Sequence, residues 1–166
     1  MWREKLYRIL PFRGESIRVR SCEKNDAGLI TKLNNDPCTR KYLGGPLGTT
    51  LESTQSKIFE THEDTLYIIE TYDGRQVGYT GFLENNHTDG IDILIVISPK
   101  FKRKQIGREV LDLMVQTWKS LFPYKTIAVT TRIDNIPAIK LLEGYGFVRK
   151  GEYKDRQVNH AIYNIT

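Results

Sequence analysis

Residues 135–147 read NIPAIKLLEGYGF, and this stretch decides how the C-terminal part of the chain folds. Asn135 is a favoured residue for capping a helix, and Pro137 suits the first helical turn, where its missing N–H would have had no partner. Apolar residues follow at helical spacing, and two glycines signal the end of the helix before Phe147 begins a strand. The stretch therefore predicts a capped helix that leads directly into a strand.

A second stretch, KRKQIG at residues 102–107, lies between an apolar β-branched run and an amphipathic helix. The run is Ile91–Ile97, and the helix begins near Gln105 and extends to Leu121, with apolar residues at spacings of three and four. Such a turn places cations and backbone N–H groups at a helix N-terminus, where a phosphate group is stabilised. The pattern favours a diphosphate ligand, and a solvated charged turn is the alternative.

The order and separation of these two stretches resemble the GNAT N-acyltransferase superfamily, whose members transfer an acyl group from coenzyme A to an amine. Residues 35–37 and 41–44 are similar to the subgroup of ribosomal-protein-alanine, spermidine and some antibiotic acetyltransferases. The resemblance extends from Ile17 to Ile165. It implies one GNAT domain over residues 1–166, of α+β class, with a central mixed, mostly antiparallel sheet and helices on both faces.

Hydrophobic periodicity and turn signals predict the individual elements. The apolar strand Ile91–Ile97 should be central, because a strand without polar alternation is buried on both faces. Its connection through a helix to the next strand predicts a right-handed crossover and a parallel pair. Further strands are predicted at 16–20, 66–70, 77–82, 126–130, 147–149 and 161–165. Helices are predicted from Asn25 or Asp26 to 35, from Thr50 or Ser53 to 59, from 105 to 121 and from 136 to 144. A loop is predicted at 43–48.

Composition restricts the class of protein. The 166 residues suffice for one domain with its own core, and 39% hydrophobic with 27% charged residues is ordinary for a soluble globular protein. No apolar run reaches the length of a membrane span, and the charged N-terminus is unlike a signal peptide. Cys22 and Cys38 form no disulfide framework, so we expect a cytoplasmic protein without a membrane partner. His62, His87 and His160 share no ligand spacing, so no metal cofactor is expected.

The formal charge of +5 and the pI near 9.2 raise the alternative of nucleic-acid binding. The cations are concentrated near the second stretch, and the rest are scattered among acids. A cluster of that size suits a diphosphate better than a duplex, which calls for a longer basic stripe, so nucleic acid is disfavoured as a partner. The clustered residues are Lys100, Lys102, Arg103, Lys104 and Arg108.

The resemblance assigns coenzyme A, supplied as acetyl-CoA, to this basic turn. The family's loop reads Gln/Arg-x-x-Gly-x-Gly/Ala; here Lys102 takes the first place, Gln105 replaces the first glycine and Gly107 keeps the last. In the family, backbone amides of the loop bind the pyrophosphate, so a side chain matters only where its Cβ obstructs close approach. The resemblance implies coenzyme contacts by Ile95, Val96, Ile97, Lys102, Arg103, Lys104, Gln105, Ile106, Gly107, Arg108, Asn135, Ala138 and Lys140.

In the family, the strand before this loop pairs its backbone with the pantetheine arm of the coenzyme. The resemblance gives the N–H of Val96 or Ile97 the role of stabilising the developing oxyanion, an interaction worth about 3 kcal/mol in other enzymes. Asn135 would hydrogen-bond the pantetheine arm, and it also has the capping role already described. Ala138 would leave room for the cofactor, and Lys140 either reaches a phosphate or is solvated.

The acid and the base of the reaction are harder to assign. Many family members have a tyrosine seven residues after the asparagine, which protonates the departing thiolate; this chain has Leu142 there, which cannot donate a proton. Tyr145 is a conceivable substitute for this acid, but an aromatic residue on an apolar helix face is more typical of the core. Thr130 lies where some amino-terminal acetyltransferases have a glutamate base. Asp92 is therefore the candidate base or ammonium ligand, against the alternative of a strand-end carboxylate that is ion-paired or hydrated. Glu84 is a second candidate.

Together these observations predict an acetyl-CoA-dependent N-acetyltransferase in which a primary amine attacks the thioester directly in a ternary complex. The acceptor is expected to be a protein N-terminus or a small amino compound, with polyamines less favoured. The wall of the acceptor-binding site is expected to come from the Pro37–Thr50 loop and the Tyr153–Asn159 connection. A CoA-binding regulatory domain without turnover is the alternative, supported by Leu142 and Gln105. The sequence leaves a homodimer open.

Overall fold

The computed structural model describes residues 1–43, 50–57, 66–85, 87–88, 90–102 and 105–166. The described residues form six α-helices: α1 (Trp2–Ile9), α2 (Ala27–Asn35), α3 (Pro37–Leu43), α4 (Leu51–Lys57), α5 (Ile106–Leu121) and α6 (Ile136–Tyr145). They also form eight strands: β1 (Phe12–Arg13), β2 (Ile17–Ser21), β3 (Leu66–Thr71), β4 (Gln76–Glu84), β5 (Ile91–Ile97), β6 (Ile127–Arg132), β7 (Val148–Asp155) and β8 (Val158–Ile165). Most of the predicted loop at 43–48, the predicted helix end at Phe59, and His62 lie outside the described residues.

The strands form one mixed, mostly antiparallel sheet, which confirms the predicted fold class. Their order is β1-β2-β3-β4-β5-β6-β8-β7, so β5 is an inner strand. β5 and β6 form the predicted parallel pair, with Ile91 opposite Ile127 and Asp92 opposite Ala128. The pairs β1–β2, β2–β3, β3–β4, β6–β8 and β7–β8 are antiparallel.

The chain divides into two compact units, and β4, β5 and α5 contribute to both. The first unit consists of Met1–Gly81 and Ile95–Leu113. The second unit consists of Phe82–Leu94 and Met114–Thr166.

The core of the first unit is organised by β3, whose residues 66–70 are all buried. Ile17 and Val19 of β2 alternate with polar residues and are fully buried, as expected for a strand with one face in the core. Leu6 of α1 and Val110 of α5 are also fully buried. The sheet of this unit thus combines a strand buried on both faces, β3, with an alternating strand, β2.

Buried charges of the first unit are paired by one arginine. Arg20 of β2 donates two hydrogen bonds to Asp26, each 2.9 Å long, and one of 3.0 Å to Glu70. Burial opposes the charged form of both carboxyls, but the hydrogen bonds from Arg20 outweigh it, and the pKa of each lies below its ordinary value. Arg18 also pairs with Glu70, at 2.6 Å. The network connects β2, β3 and the 3-10 turn before α2.

The core of the second unit contains aromatic side chains from both α5 and the sheet. Trp118 packs against Phe82 and Phe122, with ring centroids at 5.1 Å and 4.6 Å. Ala161 and Tyr163 of β8 are buried at alternating positions. β6 is hydrogen-bonded to parallel β5 and antiparallel β8, which fixes its register between them.

One correction concerns the segment after residue 36, which the sequence analysis treated as a loop. Pro37–Leu43 forms the helix α3. The Asp36 carboxylate accepts hydrogen bonds from the N–H groups of Cys38 and Thr39, at 2.9 Å and 3.1 Å. Pro37 therefore has a second effect besides ending α2: it occupies the first position of a new helix that Asp36 caps.

A second correction concerns the segment Tyr153–Asn159, which was expected to be a connection in the acceptor wall. Most of it belongs to the strands β7 and β8, which pair from Asp155–Val158 towards Val148–Asn164. Only Arg156 and Gln157 form the turn, with φ values of 48° and 66°. Positive φ at both central residues is typical of the two-residue turns that match strand twist.

Candidate active site

The basic turn before α5 has one residue with an unusual backbone conformation. Gln105, at the place where the family pattern has glycine, has φ of 57°, in the left-handed region that glycine occupies at low cost. Lys102 is exposed and Ile106 is buried at the start of α5. Arg103 and Lys104 lie outside the described residues. Gln105 therefore occupies a glycine-like conformation in spite of its side chain.

The first turn of α5 is attached to the segment before β2 by Glu109. Its carboxylate accepts hydrogen bonds from the N–H of Ser16, at 2.6 Å, and from the Ser16 hydroxyl. A Cβ added to Gly14 would lie 3.0 Å from the same carboxylate, so the contact is tight. The sequence analysis missed Glu109, because no local pattern connects it with a residue 93 positions away. Gly107 is partly buried and Arg108 is exposed in the same turn.

The end of β5 lies closely against β4 within the first unit. A Cβ added to Gly78 would come within 2.0 Å of the Val96 carbonyl oxygen. Ser98 donates its N–H to the carbonyl of Val77 at 2.8 Å. Val96 and Ile97 are buried, and Ile95 is half-buried. The backbone at the end of β5 is thus held by a close contact that a side chain at residue 78 would disrupt.

Asp92 is a buried carboxylate near the start of β5, in the second unit. It is 5% exposed and accepts hydrogen bonds from Asn85 Nδ2 at 2.7 Å, from the Thr88 hydroxyl at 2.8 Å and from the Thr130 hydroxyl at 3.3 Å. All three donors are neutral. Within the described part of the chain, no Lys, Arg or His nitrogen forms an ion pair with Asp92.

The three donors to Asp92 were not predicted as its partners. Thr130 was recognised only as the residue in place of a glutamate, and Asn85 and Thr88 lie between two predicted strands, where no role was assigned to them. The signal available in the sequence was the clustering of Asn85 and Thr88 within seven residues before a carboxylate. The ion-paired alternative for Asp92 is wrong for the described residues, since neutral groups satisfy the carboxylate.

The start of α6 has the capped geometry that the sequence predicts. The Asn135 side-chain oxygen accepts a hydrogen bond from the Ala138 N–H at 3.3 Å. The helix ends at Gly146, which has φ of 119°. Ala138 is half-buried and Lys140 is exposed. The capping role of Asn135 is therefore confirmed.

The position of the missing general acid is part of the core. Leu142 is 3% exposed and carries no proton donor. Tyr145 is half-buried and its ring lies beside Phe147, with centroids 5.9 Å apart. Glu84 is exposed at the end of β4.

Cys22 lacks the surroundings of an activated nucleophile. Burial, together with the charge of Asp26, raises the pKa of the Cys22 thiol to about 12. The thiolate is the reactive form, so Cys22 is inert near neutral pH. Cys38 is exposed, and both thiols are free.

The described residues were compared with the requirements of a metal site and of a membrane-spanning helix. Groups of three or more His, Cys, Asp or Glu placed to hold a metal ion do not occur among them. None of their helices combines the length and apolarity that crossing a bilayer requires.

The sheet order, the parallel β5–β6 pair and the capped helix α6 are the arrangement expected of the GNAT fold. A family model described as an acetyltransferase (GNAT) domain matches residues 16–148, which is most of the chain. The chain therefore belongs to the GNAT family, and it is an N-acetyltransferase that transfers an acetyl group to an amine. The family's acyl donor is acetyl-CoA.

Solved structures of similar fold come from several bacteria. A GNAT-family acetyltransferase from Bacillus anthracis has a TM-score of 0.81 and 18% identity, covering 94% of this chain and 98% of its own. Spermidine N-acetyltransferase from Vibrio cholerae, in complex with CoA and spermine, has a TM-score of 0.79 and 18% identity, with coverage of 90% and 95%. A probable acetyltransferase from Chromobacterium violaceum has a TM-score of 0.76 and 19% identity, with coverage of 93% and 85%. At such identities the likeness concerns the fold. Curated proteins gave no match.

Proposed function

We propose that this protein acetylates a primary amine, either a protein N-terminus or a small amino compound, by direct attack on acetyl-CoA in a ternary complex. The observation that carries the proposal is the Asp92 carboxylate, buried among neutral donors without a cation in the described residues. Burying an uncompensated charge is costly unless a ligand balances it. The ammonium group of the acceptor supplies that balance.

In the proposed reaction, the bound ammonium first loses a proton to Asp92, directly or through a water molecule. The amine lone pair then attacks the thioester carbonyl carbon, and the oxyanion is stabilised by the N–H of Val96 or Ile97. The C–N bond forms, the nitrogen releases its second proton to water, the C–S bond breaks, and the CoA thiolate leaves. Leu142 cannot donate a proton, so water protonates the thiolate after it leaves. A thiolate can leave without a general acid near neutral pH, because the reference pKa of a thiol is about 8.5.

The coenzyme is proposed to bind through backbone groups. The N–H groups at the start of α5 and in the turn before it, with Lys102, are suited to a pyrophosphate, and the backbone of Ile95–Ile97 to the pantetheine arm. Asn135, Ala138 and Lys140 remain predicted coenzyme contacts. The raised pKa of Cys22 supports attack on acetyl-CoA itself rather than an acetylated cysteine.

The acceptor is proposed to be a monoamine, although the similar enzyme from Vibrio cholerae is a spermidine N-acetyltransferase. A polyamine carries several ammonium groups, and each needs an acidic partner. The buried acids among the described residues are Asp26, Glu70 and Asp92, and Arg20 already pairs with the first two. Asp92 alone of these three is available for an ammonium group.

The test is release of the CoA thiol from acetyl-CoA across a panel of peptides, monoamines and polyamines. We expect turnover with at least one monoamine or peptide, and slower turnover with spermidine. Preference for spermidine over every monoamine would contradict the assignment of the acceptor class.

A second candidate function is a CoA-binding regulatory domain, favoured by Leu142 in the acid position and by Gln105 in the loop. Thermal shift with CoA distinguishes it from the enzyme. Stabilisation by CoA without thiol release on the whole panel would favour this candidate.

We further propose that residues 1–166 act as one catalytic domain and that the protein is cytoplasmic; a homodimer in solution is the assembly that the sequence leaves open. Sedimentation of the purified chain tests the last of these.

A further inference from the structure

Three aromatic side chains of the second unit form a stack. The Tyr153 ring lies 4.0 Å from the His87 ring, with an interplanar angle of 7°. It lies 5.1 Å from the His160 ring on β8, with an angle of 12°. Tyr153 and His160 are also register partners in the β7–β8 hairpin. Tyr153 thus connects the turn before β5 to this hairpin.

The ring of His160 is itself held in place. Its Nδ1 lies 3.1 Å from the carbonyl oxygen of Val158, two residues earlier on β8. Tyr153 and His160 are half-buried, whereas His87 is exposed. The hairpin therefore supplies a fixed surface, and His87 is the part of the turn that rests on it.

His87 lies between the two turn residues that donate to Asp92. The Asn85 side-chain oxygen accepts the His87 N–H at 2.9 Å, which directs the Asn85 amide nitrogen to Asp92 at 2.7 Å. Thr88, the next residue, donates its hydroxyl to Asp92 at 2.8 Å. The backbone of His87 is therefore hydrogen-bonded to one donor residue and covalently joined to the other.

We propose that the His87–Tyr153–His160 stack positions the Asn85 and Thr88 donors on Asp92 and so sets the efficiency of the amine-activating step. The proposal rests on the proposed function of Asp92. Asn85, His87 and Thr88 lie outside the strands, so strand pairing does not fix their side chains. Stacked aromatic rings supply a defined geometry in its place. Tyr153 and His87 are positioning residues in this scheme, since neither touches the reacting atoms.

The first test compares variants of Tyr153. We expect Tyr153→Ala to lower kcat about tenfold with KM for acetyl-CoA unchanged, because the donors that orient Asp92 for proton transfer lose their support while the coenzyme site is untouched. Tyr153→Phe keeps the ring and should restore most of kcat. His87→Ala removes the exposed ring and leaves the hairpin intact, so it should reproduce the loss if Tyr153→Ala folds poorly. Tyr124→Ala is the matched control, because Tyr124 is 99% exposed.

The second test is a double-mutant cycle with Asp92→Asn. If the stack acts through Asp92, Tyr153→Ala should change kcat by less than about twofold in the Asp92→Asn background. An equal tenfold loss in both backgrounds would overturn the proposal.

A spectroscopic measurement separates this proposal from the proposed function. In ¹⁵N-edited NMR spectra, the Asn85 side-chain amide should shift in Tyr153→Ala and in His87→Ala, and stay in place in Tyr153→Phe. If no amine is acetylated by the wild-type protein, the proposed function fails, but the chemical shift of the Asn85 amide still tests whether the stack positions this residue. An unshifted Asn85 amide in both alanine variants would overturn the positioning role.

Discussion

At the scale of single residues, the most informative side chain is Asp92, a carboxylate surrounded by neutral donors in the core. Hydrogen bonds from Asn85, Thr88 and Thr130 offset part of the cost of burying it, but they do not neutralise its charge. A buried anion of this kind is complementary to a cation that arrives with the substrate. The chemistry of amine acetylation supplies such a cation.

The first prediction concerns this carboxylate. Asp92→Asn keeps the size of the side chain and removes its charge and basicity, so kcat should fall by about 100-fold or more, the usual contribution of a general base. The Kd of CoA should stay the same in calorimetry. Asp112→Asn, at an exposed position on α5, is the control. Wild-type kcat in Asp92→Asn would remove Asp92 from the mechanism.

A second prediction concerns the left-handed backbone of Gln105. A side chain in this region costs about 1 kcal/mol relative to glycine, so Gln105→Gly should raise the free energy of unfolding by about 0.5–1 kcal/mol. Gln116→Gly is the contrasting control, because Gln116 is exposed inside α5, where glycine is destabilising by about 1 kcal/mol. Urea titration measures both. The same sign of change for the two variants would show that Gln105 is not left-handed in solution.

At the scale of secondary-structure elements, contact between β4 and β5 depends on the absence of a side chain at Gly78. Gly78→Ala would place a Cβ 2.0 Å from the Val96 carbonyl oxygen. We expect a loss of about 1–3 kcal/mol of stability, as for other overpacked sites. We also expect a lower kcat, because the backbone proposed to stabilise the oxyanion must move.

Gly28→Ala is the control for the Gly78 prediction. Gly28 lies in α2 and has no atom within 4 Å of an added Cβ, so alanine there should stabilise the helix. The Tm should therefore fall for Gly78→Ala and rise for Gly28→Ala, and kcat should fall only for Gly78→Ala. A Gly78→Ala variant with wild-type stability and kcat would contradict the tight contact.

The ion network of Arg20, Asp26 and Glu70 gives a prediction about pH. The pKa of both carboxyls is lowered in the folded state, so their contribution to stability is present above their unfolded pKa values and is lost as the pH falls through the folded ones. The free energy of unfolding should decrease below about pH 4, the ordinary range of carboxyl groups. Asp26→Asn should show a smaller decrease than the wild type in urea titrations between near pH 7 and near pH 3. An identical pH dependence would exclude Asp26 as a contributor.

Several elements follow from local sequence signals, and others depend on contacts that the sequence does not display. α6 and β5 were predicted within a residue or two, because capping and unbroken apolar character are local properties. α1 was missed, since only Leu6 of its residues is buried. α3 was missed because Pro37 was read as an ending and not also as a beginning.

The residues of the candidate site likewise include some that local sequence signals predict and others that they do not. The basic turn and Asp92 could be recognised from the order of residues. The Asn85–Thr88–Thr130 donors, the Glu109–Ser16 contact and the histidine–tyrosine stack could not, because each joins residues far apart in the chain or depends on the side-chain direction within a turn. Pairing partners at long range are set by the folded sheet.

At the scale of the whole molecule, the charge of +5 leaves a choice between a diphosphate cofactor and a nucleic acid. The two ligands differ in how their binding responds to salt and to one substitution. A nucleic acid contacts many cations, and its affinity falls steeply with ionic strength. A CoA pyrophosphate held by backbone N–H groups depends instead on close approach at a few residues, among which Gly107 is the small one.

The last prediction uses this difference. Binding of CoA to the folded chain should stabilise it by about 2.7 kcal/mol at a concentration 100 times the Kd, which is measurable as a rise in Tm. Gly107→Glu adds bulk and negative charge beside the pyrophosphate, so the rise should disappear while the Tm without ligand changes little. Gly28→Glu is the matched control, since Gly28 is exposed on α2 and should keep the CoA-dependent rise. A Tm rise that survives Gly107→Glu, or one that duplex DNA produces and CoA does not, would show that the basic turn binds something other than the coenzyme.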